Sequence, residues 1–163
     1  MNKKIDLVWS ALRVILGWTF LWAFVDKVFG LGYATASGKG WIDGGSPTYG
    51  FLTHATKGPF AEFFQSLAGS GLVEWLFMLG LLFAGTTLLF GFMVKLGSLV
   101  GASLYIMFYV AGFIPPEHNP LTDEHIINAI VLIGIYLSIP SGILGFGKSW
   151  GRRSIVMKYP ILR

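Results

Sequence analysis

The chain alternates between long apolar runs and short polar breaks. Lys3 and Lys4 precede an apolar run from Leu7 to Val25 that only Arg13 interrupts. The run is about 19 residues, enough to cross a hydrocarbon core, and it predicts a helix over about 7–28. Three further runs predict helices over 72–92, 96–114 and 124–144. Pro115-Pro116 stops the third, and Pro140 lies near the far end of the fourth. Gly, Ser, Thr and Pro crowd residues 30–71, which is loop chemistry. Inside that loop Pro59 opens and Gly69 closes a short helix. Its apolar residues Phe60, Phe63, Phe64 and Leu67 share one face, suited to lying on a membrane or capping a bundle. The expected fold class is all-α: a four-transmembrane-helix bundle with a long outer loop carrying a short amphipathic helix. A basic tail over 147–163 completes a single membrane domain. The first run could be read instead as a signal peptide ending at Ala34-Thr35-Ala36. It is too long for that, and Asp26-Lys27 separates it from the cleavage site.

Composition agrees with the pattern. The chain is 54% hydrophobic and 12% charged, about half the charge of a soluble domain. It has no cysteine, which excludes disulfides, thiolate metal sites and iron–sulfur ligation on this chain. The net charge of +4 points to membrane orientation rather than nucleic acid, because it is unevenly placed. Four spans put both termini on one side, with Lys3, Lys4, Lys95, Lys148, Arg152, Arg153, Lys158 and Arg163. The opposite side has only Lys27, Lys39 and Lys57. The richer side is expected to be cytoplasmic, making this a multi-pass protein of the cell membrane with N- and C-termini inside. All acids but Asp6 then fall outside or at the outer edge. Trp9 and Trp150 mark the inner interface, and Trp22 and Trp75 the outer one.

Small residues mark expected helix contacts: Gly97 and Gly101 on the third span, Gly80 and Ala84 on the second. On the first helix Asp6, Trp9, Arg13, Gly17, Phe20, Phe24 and Lys27 recur at spacings of three and four. They share a face, which should look into the bundle because charge within a span is costly. Arg13 itself reads either as part of a functional face, or as a residue snorkelling to the inner headgroups or paired with Asp6.

Candidate chemistry gathers at the outer edge. Lys27, Glu74, Glu124, His125 and Asn128 fall at similar depth, and His125 and Asn128 share a helical face. A pocket of such groups, with Arg13 below it, suits a quinone carbonyl and its protons, or a small anion. The bland alternative is local. Asn119 before Pro120 reads as a helix N-cap, Asp123 and Glu124 then complement the helix dipole, and His125 sits in the headgroups. No metal is expected, because His118 and His125 are seven apart without ligand spacing.

With these residues in view the chain resembles the DoxX/DoxD family of four-span membrane proteins. The likeness rests on Arg13, Gly17 and Lys27, on Gly44-Gly45-Ser46-Pro47-Thr48 with Phe51-Leu52, and on Lys57-Gly58-Pro59-Phe60. It continues through Glu74-Trp75 with Gly80 and Gly85, and ends with Asn119-Pro120, Asp123-Glu124-His125 and Asn128. The resemblance is nearest to the large subunit of thiosulfate:quinone oxidoreductase. It implies a quinone-interacting membrane subunit of an oxidoreductase, with electron transfer from thiosulfate to quinone and a smaller partner subunit. On that expectation His125, Lys27 and Glu74 are catalytic, and Arg13, Asn128, Asp123, Glu124 and Asn119 bind the quinone. Partners are the lipid bilayer, the quinone and a redox complex, with no nucleic acid. The alternative is a non-catalytic membrane subunit or scaffold. A small-anion transporter is weaker, since one bundle of four helices without an inverted repeat lacks the usual transporter plan.

The charge bias yields a direct test of orientation. Cysteines introduced at Ser37 and Ser154 are expected to differ on whole cells, an impermeant thiol reagent labelling position 37 alone. Labelling of position 154 alone would reverse the orientation.

Overall fold

The computed structural model describes residues 3–112, 114, 116, 119–138 and 144–163. Among the described residues the fold is all-helical, with no strand. Helix α1 is Lys3–Phe29, α2 is Ala61–Ser66, α3 is Gly71–Phe90, α4 is Val94–Gly112 and α5 is Glu124–Ser138. Two short helices, α6 (Gly147–Gly151) and α7 (Ser154–Lys158), follow in the tail. α1, α3 and α4 are long and apolar enough to cross a membrane. α5 has 15 residues, or about 22 Å of helix, short of a hydrocarbon core of about 30 Å. The expected fourth span, 124–144, runs on through 139–143, which lie outside the described residues, as do Pro115 and His118.

The bundle has two chemically different ends. The basic end holds the start of α1, the turn between α3 and α4, and the tail. The loop end holds the end of α1, the start of α3, the end of α4 and the start of α5. α1 packs chiefly on α3, while α4 packs on both α3 and α5. Leu88, Leu132, Ile135 and Ala84 are fully buried at the centre. The expected stripe on α1 is the inward face: Asp6, Arg13, Gly17 and Phe20 are buried, and Trp9 and Phe24 pack against the core.

Close packing depends on glycine at helix contacts. A Cβ at Gly17 would collide with the α3 backbone at Leu88 and Leu89, and one at Gly85 would lie 2.6 Å from the Leu21 nitrogen of α1. These two residues, rather than Gly80, set the approach of α1 to α3. Gly80 meets only the Leu104 side chain, at an ordinary 3.5 Å. Gly97 faces Thr87 across the α3–α4 contact. A Cβ at Gly101 would come 2.9 Å from Phe20 and 3.0 Å from Leu132, where α1, α4 and α5 meet. In lipid the hydrophobic effect does not drive helices together, so such close dispersion contacts carry the association.

Arg13 joins the bundle at its basic end. Its side chain is 1% exposed. The guanidinium donates to the carbonyl oxygens of Leu88, Leu89 and Leu144. The first two belong to the last turn of α3, whose carbonyls have no partner within the helix and whose dipole favours a cation. Gly91 ends that helix at φ +77, donating its N–H to the Thr87 carbonyl, and the Arg13 fork lies against it. The structure therefore removes Arg13 from the expected quinone site. It is a helix-end ligand at the basic end, and neither a headgroup snorkeller nor a pocket residue.

Two stability experiments follow. Arg13→Met is expected to lower the Tm in detergent by roughly 5 °C, since charge-assisted hydrogen bonds contribute about 1.5–3 kcal/mol and each kcal/mol shifts a chain of this size by about 2–4 °C. A Tm at or above the parent's would show that desolvating the charge outweighs its bonds. Gly101→Leu is expected to destabilise clearly more than Gly71→Leu, because nothing lies within 4 Å of a Cβ at Gly71. Equal tolerance would sink the contact role.

Candidate functional site: an apolar cavity at the loop end

The loop between α1 and α3 is tied down at several points. Asp26, almost fully buried near the end of α1, accepts hydrogen bonds from the Thr35 nitrogen at 2.8 Å and the Tyr33 nitrogen at 3.3 Å. This folds the chain back onto the helix. Ser46 donates its hydroxyl to Glu74 in the first turn of α3, and its Oγ accepts from the Tyr49 nitrogen. The Lys57 nitrogen donates to the Ala111 carbonyl of α4 at 3.0 Å. Between these ties, a single wide turn at Phe51–Ala55 and helix α2 form a roof across the loop ends of α3 and α4.

Beneath the roof is a cavity of about 420 Å³. Pro47, Thr48, Phe51 and Leu52 line it from the loop, and Phe64 and Leu67 from the region of α2. Val73, Leu76 and Phe77 come from α3, Leu104, Met107, Phe108 and Ala111 from α4, and Lys27 from α1. The short amphipathic stretch splits its apolar residues: Phe64 is buried toward the cavity, while Phe60 and Phe63 are exposed. Leu104 closes the floor where it meets Gly80. Leu76 and Met107, which line the cavity, are also exposed, so the cavity reaches the surface at these two side chains.

Two polar side chains line this apolar space. Lys27 Nζ lies 5.9 Å from the Phe77 ring centroid, a cation–π distance, and makes no ion pair among the described residues. Thr48 is 6% exposed, and its hydroxyl has no hydrogen-bond partner among the described residues. A buried hydroxyl without a partner costs about 1–3 kcal/mol. The hydroxyl oxygen has almost no accessible surface, so a ligand acceptor would recover this only if the Thr48 side chain turned toward the cavity.

The remaining expected site residues lie around this cavity and not in it. Glu74 is engaged by Ser46. His125 is on the far side of Phe108, their ring centroids 5.9 Å apart, and 6.0 Å from Tyr105. Its Nδ1 is 2.8 Å from Asp123 Oδ2. Asn128 is half-buried one turn further along α5. The expected single pocket of Lys27, Glu74, His125 and Asn128 is therefore not formed; of these, Lys27 alone lines the cavity.

The start of α5 also differs from expectation. Asp123, not Asn119, is the N-cap: its Oδ1 accepts from the His125 and Ile126 nitrogens at 3.0 and 3.2 Å. Asn119 instead closes a turn, accepting from the Leu121 and Thr122 nitrogens. Asp123, Glu124 and His125 each offer a metal-ligand atom, all within 4.8 Å of one another, a grouping the histidine spacing did not suggest. Both Asp123 oxygens are already used, one by the helix end and one by the imidazole.

Thr48 was missed as a site residue. It stands in the Gly44-Gly45-Ser46-Pro47-Thr48 run that carries the resemblance, but burial, which sequence does not state, decides its role. Asp123→Ala is expected to cost about 1 kcal/mol of stability by removing the cap, measured by denaturant titration in detergent. Asp123→Asn should retain most of it. A larger loss in Asp123→Asn than in Asp123→Ala would show the carboxylate acting elsewhere. No protein-family model, characterised protein or solved structure matches this chain.

Proposed function

We propose that this chain is a quinone-interacting integral membrane subunit of an oxidoreductase, built as a four-span bundle over 7–28, 72–92, 96–114 and 124–144 with cytoplasmic termini. The single observation that carries the reading is the cavity. It is apolar, lined by phenyl rings, open to the surface, and supplied with one ammonium and one unpartnered hydroxyl. A quinone needs the same set of features: a flat slot among aromatic rings, donors for its carbonyl oxygens, and access from the bilayer. Lys27 is one donor, and Thr48 the other once its side chain turns toward the cavity. Phe51, Phe77 and Phe108 pack the ring. The Asp123–His125 pair at the start of α5 lies one ring away, against Phe108. With no cysteine on the chain, thiosulfate oxidation requires direct reaction with the quinone or groups on a partner subunit. The alternative is a non-catalytic subunit that holds a partner complex. Its support is the exposed stripe Ile127, Ile130, Ile133 and Leu137 along α5.

Titration of the purified protein with a short-chain quinone, followed by tryptophan quenching, tests the reading. Saturable binding is expected, with Lys27→Met weakening it about tenfold, or 1.4 kcal/mol. Thr48→Val should weaken it less, and His125→Ala should leave binding unchanged. No saturable binding, or full binding in Lys27→Met, would leave the scaffold as the surviving reading.

A further inference from the structure

The tail presents a second surface, at the opposite end from the cavity. It is folded against the bundle and onto itself by hydrogen bonds. The Phe146 nitrogen donates to the Phe90 carbonyl at 2.8 Å, and the Lys95 nitrogen to the Arg163 carbonyl at 2.8 Å. Trp150 Nε1 donates to the Leu162 carbonyl. Val156 of α7 is fully buried. The Phe146 ring also lies tilted against Phe90, and Trp150 meets Phe92 edge to face, beside the turn between α3 and α4. That turn joins two helices long and apolar enough to cross a membrane. The tail therefore lies where such helices leave the hydrocarbon.

What it exposes there is of two kinds. Arg152, Arg153 and Lys158 are exposed, and residues 144–163 contain five basic residues and no acidic one. Lys3 and Lys4 are exposed at the same end, where the one acid, Asp6, is buried. Among these bases Phe146, Ile155, Met157 and Tyr159 are also exposed. A purely basic surface would suit any polyanion. Bases interleaved with exposed aliphatic and aromatic side chains, held at the level of a helix exit, suit an interface with phosphate above and acyl chain below.

We infer that residues 146–163 form an in-plane anchor that binds the headgroups of anionic phospholipids. Arg152, Arg153 and Lys158 contact the phosphates, while Ile155 and Met157 enter the acyl boundary. The occupant is the bilayer leaflet itself. A soluble phosphate or nucleic acid would leave the apolar side chains without a partner.

The full-length protein in lipid nanodiscs tests this. One set contains phosphatidylcholine alone, the other an equal mixture with phosphatidylglycerol, and amide hydrogen exchange is read over 150–158. Exchange is expected to slow at least about fivefold in the anionic discs, roughly the effect of one base near a charged surface. The slowing should vanish in molar salt and in the triple variant Arg152→Gln, Arg153→Gln, Lys158→Gln. These side chains are exposed, so that variant should keep the parental Tm in detergent. Lys39→Gln with Lys57→Gln, at the other end, should change nothing. Equal exchange in both discs, an effect that survives in the triple variant, or equal slowing by inorganic phosphate in phosphatidylcholine discs would each overturn the proposal.

Discussion

A buried guanidinium with carbonyl partners holds the basic end together. Arg13 sits inside the bundle, where an isolated charge would be very costly. It is tolerated because the last turn of α3 presents carbonyl oxygens that also lack partners. Each feature alone would be a defect, and together they cancel. Leu144 brings the chain after α5 to the same fork, so one side chain links α1, α3 and the start of the tail segment. Gly91 is part of the same device, because a side chain there would occupy the space of the fork.

Glycine contacts along α1 and α3 complete this rigid half. With Gly17 and Gly85 in backbone contact across the pair, neither helix can shift without losing dispersion along its whole length. The other half is looser by construction. α4 leaves room near its loop end, and that room is roofed by residues tied through a few hydrogen bonds, not by another long helix. The cavity lies on the boundary between a stiff pair and a lightly strapped roof.

How much of this was legible in the sequence follows from which forces act locally. Apolar run length gave three long helices and the inward stripe on α1, because lipid-compatible helices announce themselves by composition. Gly97 and Gly101 were legible for the same reason. The cavity was not. It depends on where the 30–71 loop folds back, and that is decided by Asp26, Ser46–Glu74 and Lys57–Ala111, links between distant residues. Lys27 and His125 do lie at the same end of the bundle, but depth alone does not say which residues share a space, and Phe108 stands between them. Arg13 was placed on the correct face, but its partners were not legible, because they are carbonyls of a helix terminus that carries no side-chain signature.

The opening at Leu76 and Met107 has a consequence for how occupancy must be counted. A ligand using that opening arrives through acyl chains and is concentrated there by partition before it meets the protein. Occupancy is then set by mole fraction in the bilayer, not by concentration in water. A modest intrinsic affinity suffices for a lipophile that is abundant in the membrane. The same protein would bind it less completely as detergent is added, through dilution in the micellar phase and without any change in the site.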